Sequence, residues 1–154
     1  MKLTAPMLVV ESVERSKAFY GEVLGQKVVL DFGENVTFDG GFSIQEDFAR
    51  IGGFDPAMIV KGSCDFELYF EEPDFDAFLE RIAPMDIRYL HPVREYPWGQ
   101  RAVRLFDPDG HLLEVGEPME AVILRMLRAG MGVEETAKRS QFPIEFVKHL
   151  ASTL

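Results

Sequence analysis

The order of apolar and polar positions along the chain predicts a short run of elements that occurs twice. Residues 3–10 are apolar and rich in β-formers, which predicts a buried strand. From Val13 the spacing changes. Val13, Ala18, Phe19, Val23 and Leu24 form a helical stripe over residues 13–24, with Ser12 as N-cap and Gly25 as the stop. Residues 27–32, 36–38 and 42–46 follow as three short strands, separated by the turns at Gly33-Glu34-Asn35 and Asp39-Gly40-Gly41. The first module, residues 1–47, therefore reads β-α-β-β-β. Residues 48–63 hold Gly52, Gly53, Pro56 and Gly62 and read as a linker with room for one helical turn.

The order then restarts over residues 64–117. A strand is predicted at 65–70. A helix follows, with Pro73 in its first turn and Phe75, Phe78, Leu79 and Ile82 as its stripe. Three more strands are predicted at 87–93, 101–106 and 111–115, the last two joined by Asp107-Pro108-Asp109-Gly110. Placing residue 10 on residue 70 aligns the first strand and helix of the two halves without gaps: Leu8-Val9-Val10-Glu11 meets Leu68-Tyr69-Phe70-Glu71, and Ala18-Phe19 meets Phe78-Leu79. A repeat in both sequence and element order indicates an internal duplication. Residues 118–154 are different in kind and predict a helical extension with helices at 119–129, 133–139 and 143–151.

Composition narrows the function classes. The formal charge is −10, and the basic residues of the tail nearly balance its acids, so the paired modules carry almost all of the excess. That balance disfavours nucleic acid or an anionic membrane as the partner, because both bind clustered Lys and Arg. Cys64 is the single cysteine, so no intrachain disulfide forms. No apolar run reaches the roughly 18 residues of a membrane helix, and the N-terminus reads as a strand and not as a leader, so a cytoplasmic location is expected. The tail is similar to short helix-turn-helix pairs, but its third helix has only Lys148 and His149 as basic or titratable donors, so docking or dimer stabilisation is expected of it and DNA binding is not.

Several strings resemble the vicinal-oxygen-chelate superfamily of glyoxalases, bleomycin-resistance proteins and dioxygenases. They are Leu8 to Ser16, Phe19-Tyr20, Val23-Leu24-Gly25, Trp98-Gly99-Gln100-Arg101, and above all Phe106-Asp107-Pro108-Asp109-Gly110-His111-Leu112-Leu113-Glu114-Val115. The resemblance covers residues 3–117. It implies an α+β fold of two tandem βαβββ modules, whose curled mixed sheets enclose a cavity, and it implies a homodimer. It also places metal-ligand positions on the first and last strands of each module. These fall at Ala5, at Gln45 (or Glu46 if the register slips), at Asp65 and at Glu114. Ala5 has no donor and Gln45 is neutral, so no catalytic metal is expected. A weak divalent site at Gln45, Asp65 and Glu114 is the alternative, and an iron dioxygenase is disfavoured by the lack of His at these positions.

On this reading Glu114 faces the cavity as a candidate general base, with Arg101 and Arg104 as candidate partners. Strand alternation puts Asp65, Glu67 and Tyr69 on a ligand-facing side, and Phe66, Leu68 and Phe70 on the core side; a merely solvated polar face is the plain alternative. Trp98, with Tyr96 beside it, is read either as an aromatic lid or as a plug on the sheet edge. His91 is read either as a ligand hydrogen-bonder or as an ordinary satisfied histidine. His111 and Cys64 are read as structural and inert. Three functions stay open. One is a metal-independent small-molecule binder using Gln45, Asp65, Glu67, Tyr69, His91, Trp98, Arg101 and Arg104. Another is a lyase or isomerase with Glu114 as catalytic base. The third is an interaction module acting through the tail.

Overall fold

The computed structural model describes all residues, Met1–Leu154. The chain divides into two compact units: residues 1–67 with 106–112, and residues 68–105 with 113–154. No helix is long and apolar enough to cross a membrane.

The first unit is built on a four-stranded mixed sheet. Strands β1 (Met7–Val9), β2 (Val28–Asp31), β3 (Asn35–Phe38) and β4 (Ser43–Gln45) lie in the order β1-β4-β3-β2, with β1 parallel to β4 and the rest antiparallel. Helix α1 (Val13–Leu24) is the crossover between β1 and β2. Its first turn is capped twice: Ser12 Oγ accepts from Arg15 N (3.3 Å), and the Glu46 carboxylate accepts from Val13 N (2.8 Å). Gly25 ends it at φ 65°, donating its N–H to Gly21 O. Tyr20, Phe38 and Phe42 are nearly fully buried, and their ring centroids lie 4.8–5.4 Å apart. Residues 48–63 contain the short helix α2 (Phe48–Gly52) and one 3-10 turn at Pro56–Met58.

The Asp-Pro-Asp-Gly hairpin belongs to this unit by its contacts. Asp107 takes three hydrogen bonds from its own loop, from Asp109 N, His111 N and the His111 ring, at 2.8–3.0 Å. Tyr20 OH donates a fourth at 2.8 Å from α1. Asp109 Oδ1 accepts from Glu11 N and from the Arg15 guanidinium. Burial pushes the Asp107 carboxyl upward, but the donors from His111 and Tyr20 together outweigh it and hold the group below the usual Asp value.

The second unit repeats the plan: β5 (Glu67–Glu71), α3 (Phe75–Ile82), β6 (Tyr89–Glu95), β7 (Arg101–Phe106) and β8 (Leu112–Gly116), with sheet order β5-β8-β7-β6. Helices α4 (Met119–Arg128), α5 (Val133–Ser140) and α6 (Ile144–Ala151) form the extension. They share a small core of Ile123, Val147 and Leu150, ringed by Leu124, Leu127, Val133, Ala137 and Phe142. Arg125 of α4 donates to Gly99 O (2.7 Å) and pairs with Glu117 (2.8 Å), which ties the extension to the sheet.

Several expected element ends move. The first strand is three residues long, so Ala5 lies outside it. Strand β5 begins at Glu67, because Cys64 takes φ 57° and residue 65 sits in a bend. Phe66 is therefore 54% exposed and is not a core residue. Pro73 precedes the N-cap of α3, which is Asp74, whose carboxylate accepts from Ala77 N.

Candidate functional site

The two faces of the second sheet differ in character. Residues 101, 103 and 105 of β7 face α3: the Arg101 guanidinium lies 5.4 Å from the Phe75 ring centroid and pairs with Asp76 at 2.8 Å. Ala102, Arg104 and Phe106 therefore point the other way. Glu114 of β8 shares that side, since its carboxylate pairs with Arg104. A Cβ built on Gly116 would lie 3.3 Å from the Tyr69 ring and 3.4 Å from Ala102 Cβ, which places Tyr69 there too. Glycine at 116 is what lets the tyrosine ring lie across β8.

On this face a continuous polar and aromatic chain runs from strand to strand. Glu114 is almost fully buried and holds Arg104. Arg104 donates to Tyr96 OH, and its guanidinium lies 5.8 Å from the Tyr96 ring centroid. Tyr96 stacks on Trp98 with centroids 4.7 Å apart. Trp98 Nε1 donates to Gln100 Oε1 (3.0 Å), and Gln100 Nε2 donates to Tyr69 OH (2.9 Å) and to Glu117 O (2.9 Å). Tyr69 OH in turn reaches Glu71 at 3.3 Å. Partial burial and then the neighbouring Glu71 charge push the Tyr69 phenol up to about 12, so it stays a neutral donor.

Trp98 sits in a tight turn. Gly99 N donates to Tyr96 O, Tyr96 N donates to Gln100 O, and Gly99 has φ 87°. The expected loop at 94–99 thus shrinks to the hairpin between β6 and β7, and its aromatics are fixed by stacking and hydrogen bonds.

The remaining expected residues lie elsewhere. Arg101 is on the opposite face from Glu114, where Glu117 and Asp76 hold it. Burial raises the Glu117 carboxyl, but bonds from Arg101 and Arg125 bring it below the usual range. His91 is a backbone partner of Arg104, yet it borders a separate hollow of about 420 Å³ with Leu79, Ile82 and Val103, and its Nδ1 bonds Pro92 O at 2.7 Å. Gln45 is buried at the end of β4. It donates to Glu34 O and Glu46 O and accepts from Asn35, which spends its amide on its own sheet rim. Asp65 is exposed and bonds Ser63, and Glu67 is half-buried at the start of β5. Gln100 and Gly116 were missed as site residues. Gln100 stands beside Trp98 in the string that carries the family resemblance, and its role appears only once β7 is paired.

These donors do not fit a divalent ion. No three His, Cys, Asp or Glu side chains are grouped to share one. Gln45 uses its amide oxygen on Asn35, Glu46 caps α1, and the cation already facing Glu114 is a guanidinium.

The profile of the glyoxalase-like domain family matches residues 3–120. No curated protein matches the chain. Among solved structures, a protein of unknown function from Agrobacterium tumefaciens str. C58 is 39% identical, with a TM-score of 0.67 over 77% of this chain and 94% of that one. A glyoxalase-related enzyme from Fulvimarina pelagi shares the fold at 21% identity, with a TM-score of 0.62 over 77% of this chain and 88% of that one. A genomically encoded fosfomycin resistance protein from Listeria monocytogenes does so at 18%, with a TM-score of 0.56 over 77% and 93%. With the βαβββ plan present in both units and the family profile spanning both, the chain belongs to the glyoxalase-like domain family of the vicinal-oxygen-chelate superfamily.

Proposed function

We propose that this protein binds a small organic molecule on the face of the second sheet that carries Arg104, Glu114, Tyr69 and Trp98, and that it does so without a catalytic metal. The observation that carries this reading is the buried Glu114–Arg104 pair. A carboxylate in a family metal position is answered by a built-in guanidinium, whose planar fork suits a ligand oxygen and is oriented by Glu114 and Tyr96. The aromatic rings beside it supply stacking area, as small-molecule sites commonly do.

The alternative is a lyase or isomerase with Glu114 as base. Its engagement by Arg104 favours an orienting role, because the lone pairs a base would offer are directed at a cation. Trp98 is the only tryptophan, so its fluorescence reports ligand binding directly. In a screen of small carboxylates and carbonyl compounds, saturable responses are expected for the wild type and a loss of roughly tenfold or more for Arg104→Gln. Responses unchanged in that variant reject the reading. A Glu114→Gln protein that binds normally but loses turnover of a screened compound moves the assignment to the enzyme. Soaking the protein in chelator is expected to leave both melting temperature and ligand response unchanged.

A further inference from the structure

The family profile ends at residue 120, while the end of α5 and the turn into α6 lie beyond it and still reach the aromatic end of the site. The α5–α6 turn carries Gln141 at φ 61° and Phe142, and these residues face Tyr69, Glu71, Trp98 and Gln100 across a hollow of about 500 Å³. Three aromatic rings, one carboxylate, two neutral amides, Met119 and Ser140 line it, and no Lys or Arg does. Two arginines of the tail are committed to other carboxylates: Arg125 pairs with Glu117 and Arg139 with Glu95. Phe142 is held in place by Phe146, with centroids 5.4 Å apart, and Trp98 by Tyr96 and Gln100.

We propose that this hollow is a subsite for an organic cation, an alkylammonium group of about the size of trimethylammonium, with the C-terminal extension supplying one wall. Such a cation is attracted to the negative faces of aromatic rings and gains further from a nearby carboxylate, here Glu71. The surrounding chain, at a formal −10, adds a favourable field. The proposal rests on the reading that this face holds a small molecule, and adds the charge class recognised at its tail-walled end.

The test uses three molecules of one shape, with Trp98 fluorescence as the readout on the full chain: choline, its neutral analogue 3,3-dimethylbutan-1-ol, and the anion 3,3-dimethylbutanoate. Choline is expected to saturate the signal and to bind at least about threefold tighter than the alcohol. Phe142→Leu keeps an apolar side chain in the tail core and removes the ring face, and Glu71→Gln removes the charge; each is expected to weaken choline by about threefold or more. Circular dichroism and melting of both variants are the check that the fold is retained. Equal affinity for choline and the alcohol overturns the proposal, leaving a greasy hollow. Binding of the anion alone, lost in Arg104→Gln, overturns it while preserving the Arg104 site. Silence from all three probes removes the subsite, and the carboxylate screen above then judges the Arg104 site by itself.

Discussion

Asp107 and Gly116 show how much hangs on single side chains. Asp107 is a buried anion held by His111, its own loop and Tyr20, with its folded pKa below the ordinary 3.8. A depressed carboxyl contributes stability that is fully present above the unfolded value and is lost as pH falls through the folded one. Acid unfolding followed by circular dichroism should therefore steepen below about pH 4, and Asp107→Asn should flatten that part of the curve while lowering stability at pH 7. At position 116 a methyl group would meet Gln100 Nε2 at 3.1 Å and the Tyr69 ring at 3.3 Å. Gly116→Ala is expected to cost about 1 kcal/mol of stability and to weaken ligand responses at Trp98 by displacing the Tyr69–Gln100 bond. At this scale the sequence was partly legible. Glu114 stands out because it follows the Asp-Pro-Asp-Gly turn, but whether Arg101 or Arg104 answers it depends on strand parity relative to β8. Only pairing settles that parity.

Among the elements, α1 was readable to the residue, because an N-cap serine and a left-handed Gly25 punctuate its stripe. Its second cap was not, since Glu46 lies 33 residues away in sequence and its place at the end of a predicted strand gives no sign that it reaches Val13 N. Ser12→Ala is expected to cost about 1 kcal/mol in urea titrations. Glu46→Ala should cost a similar amount with no change in the protein's response to divalent ions. A metal-dependent melting shift in wild type that Glu46→Ala abolishes would restore the ligand reading. The start of β5 was placed two residues early. β-forming character continues upstream through Phe66, but the backbone turns at Cys64 and Asp65, and no periodicity records such a turn. The three tail helices were legible in the sequence, the first from its apolar stripe, whereas the wall offered to Trp98 and Tyr69 was not, because it comes largely from the short turn at 141–142.

At the scale of the whole chain, duplication was the readable feature, and both sheets carry it in the same strand order. Strand β2 is one edge of the first sheet and exposes Val28, Val29 and Leu30, with Phe32 just beyond. An apolar edge with open backbone groups favours pairing with its own copy about a twofold axis. The expected homodimer should sediment at twice the 17.5 kDa chain mass, and Phe32→Glu should return it to a monomer. A wild type that runs as a monomer at micromolar concentration rejects the dimer.

The hairpin at 107–110 closes the first unit from 87 residues away, through Tyr20 and Asp107. During synthesis, then, the amino-terminal half emerges from the ribosome with its tyrosine hydroxyl unpartnered. It must wait for most of the second half to be translated before it can lock. Maturation of this chain ends near its beginning, and a premature stop before residue 107 would leave the earliest-made segment as the part least able to finish.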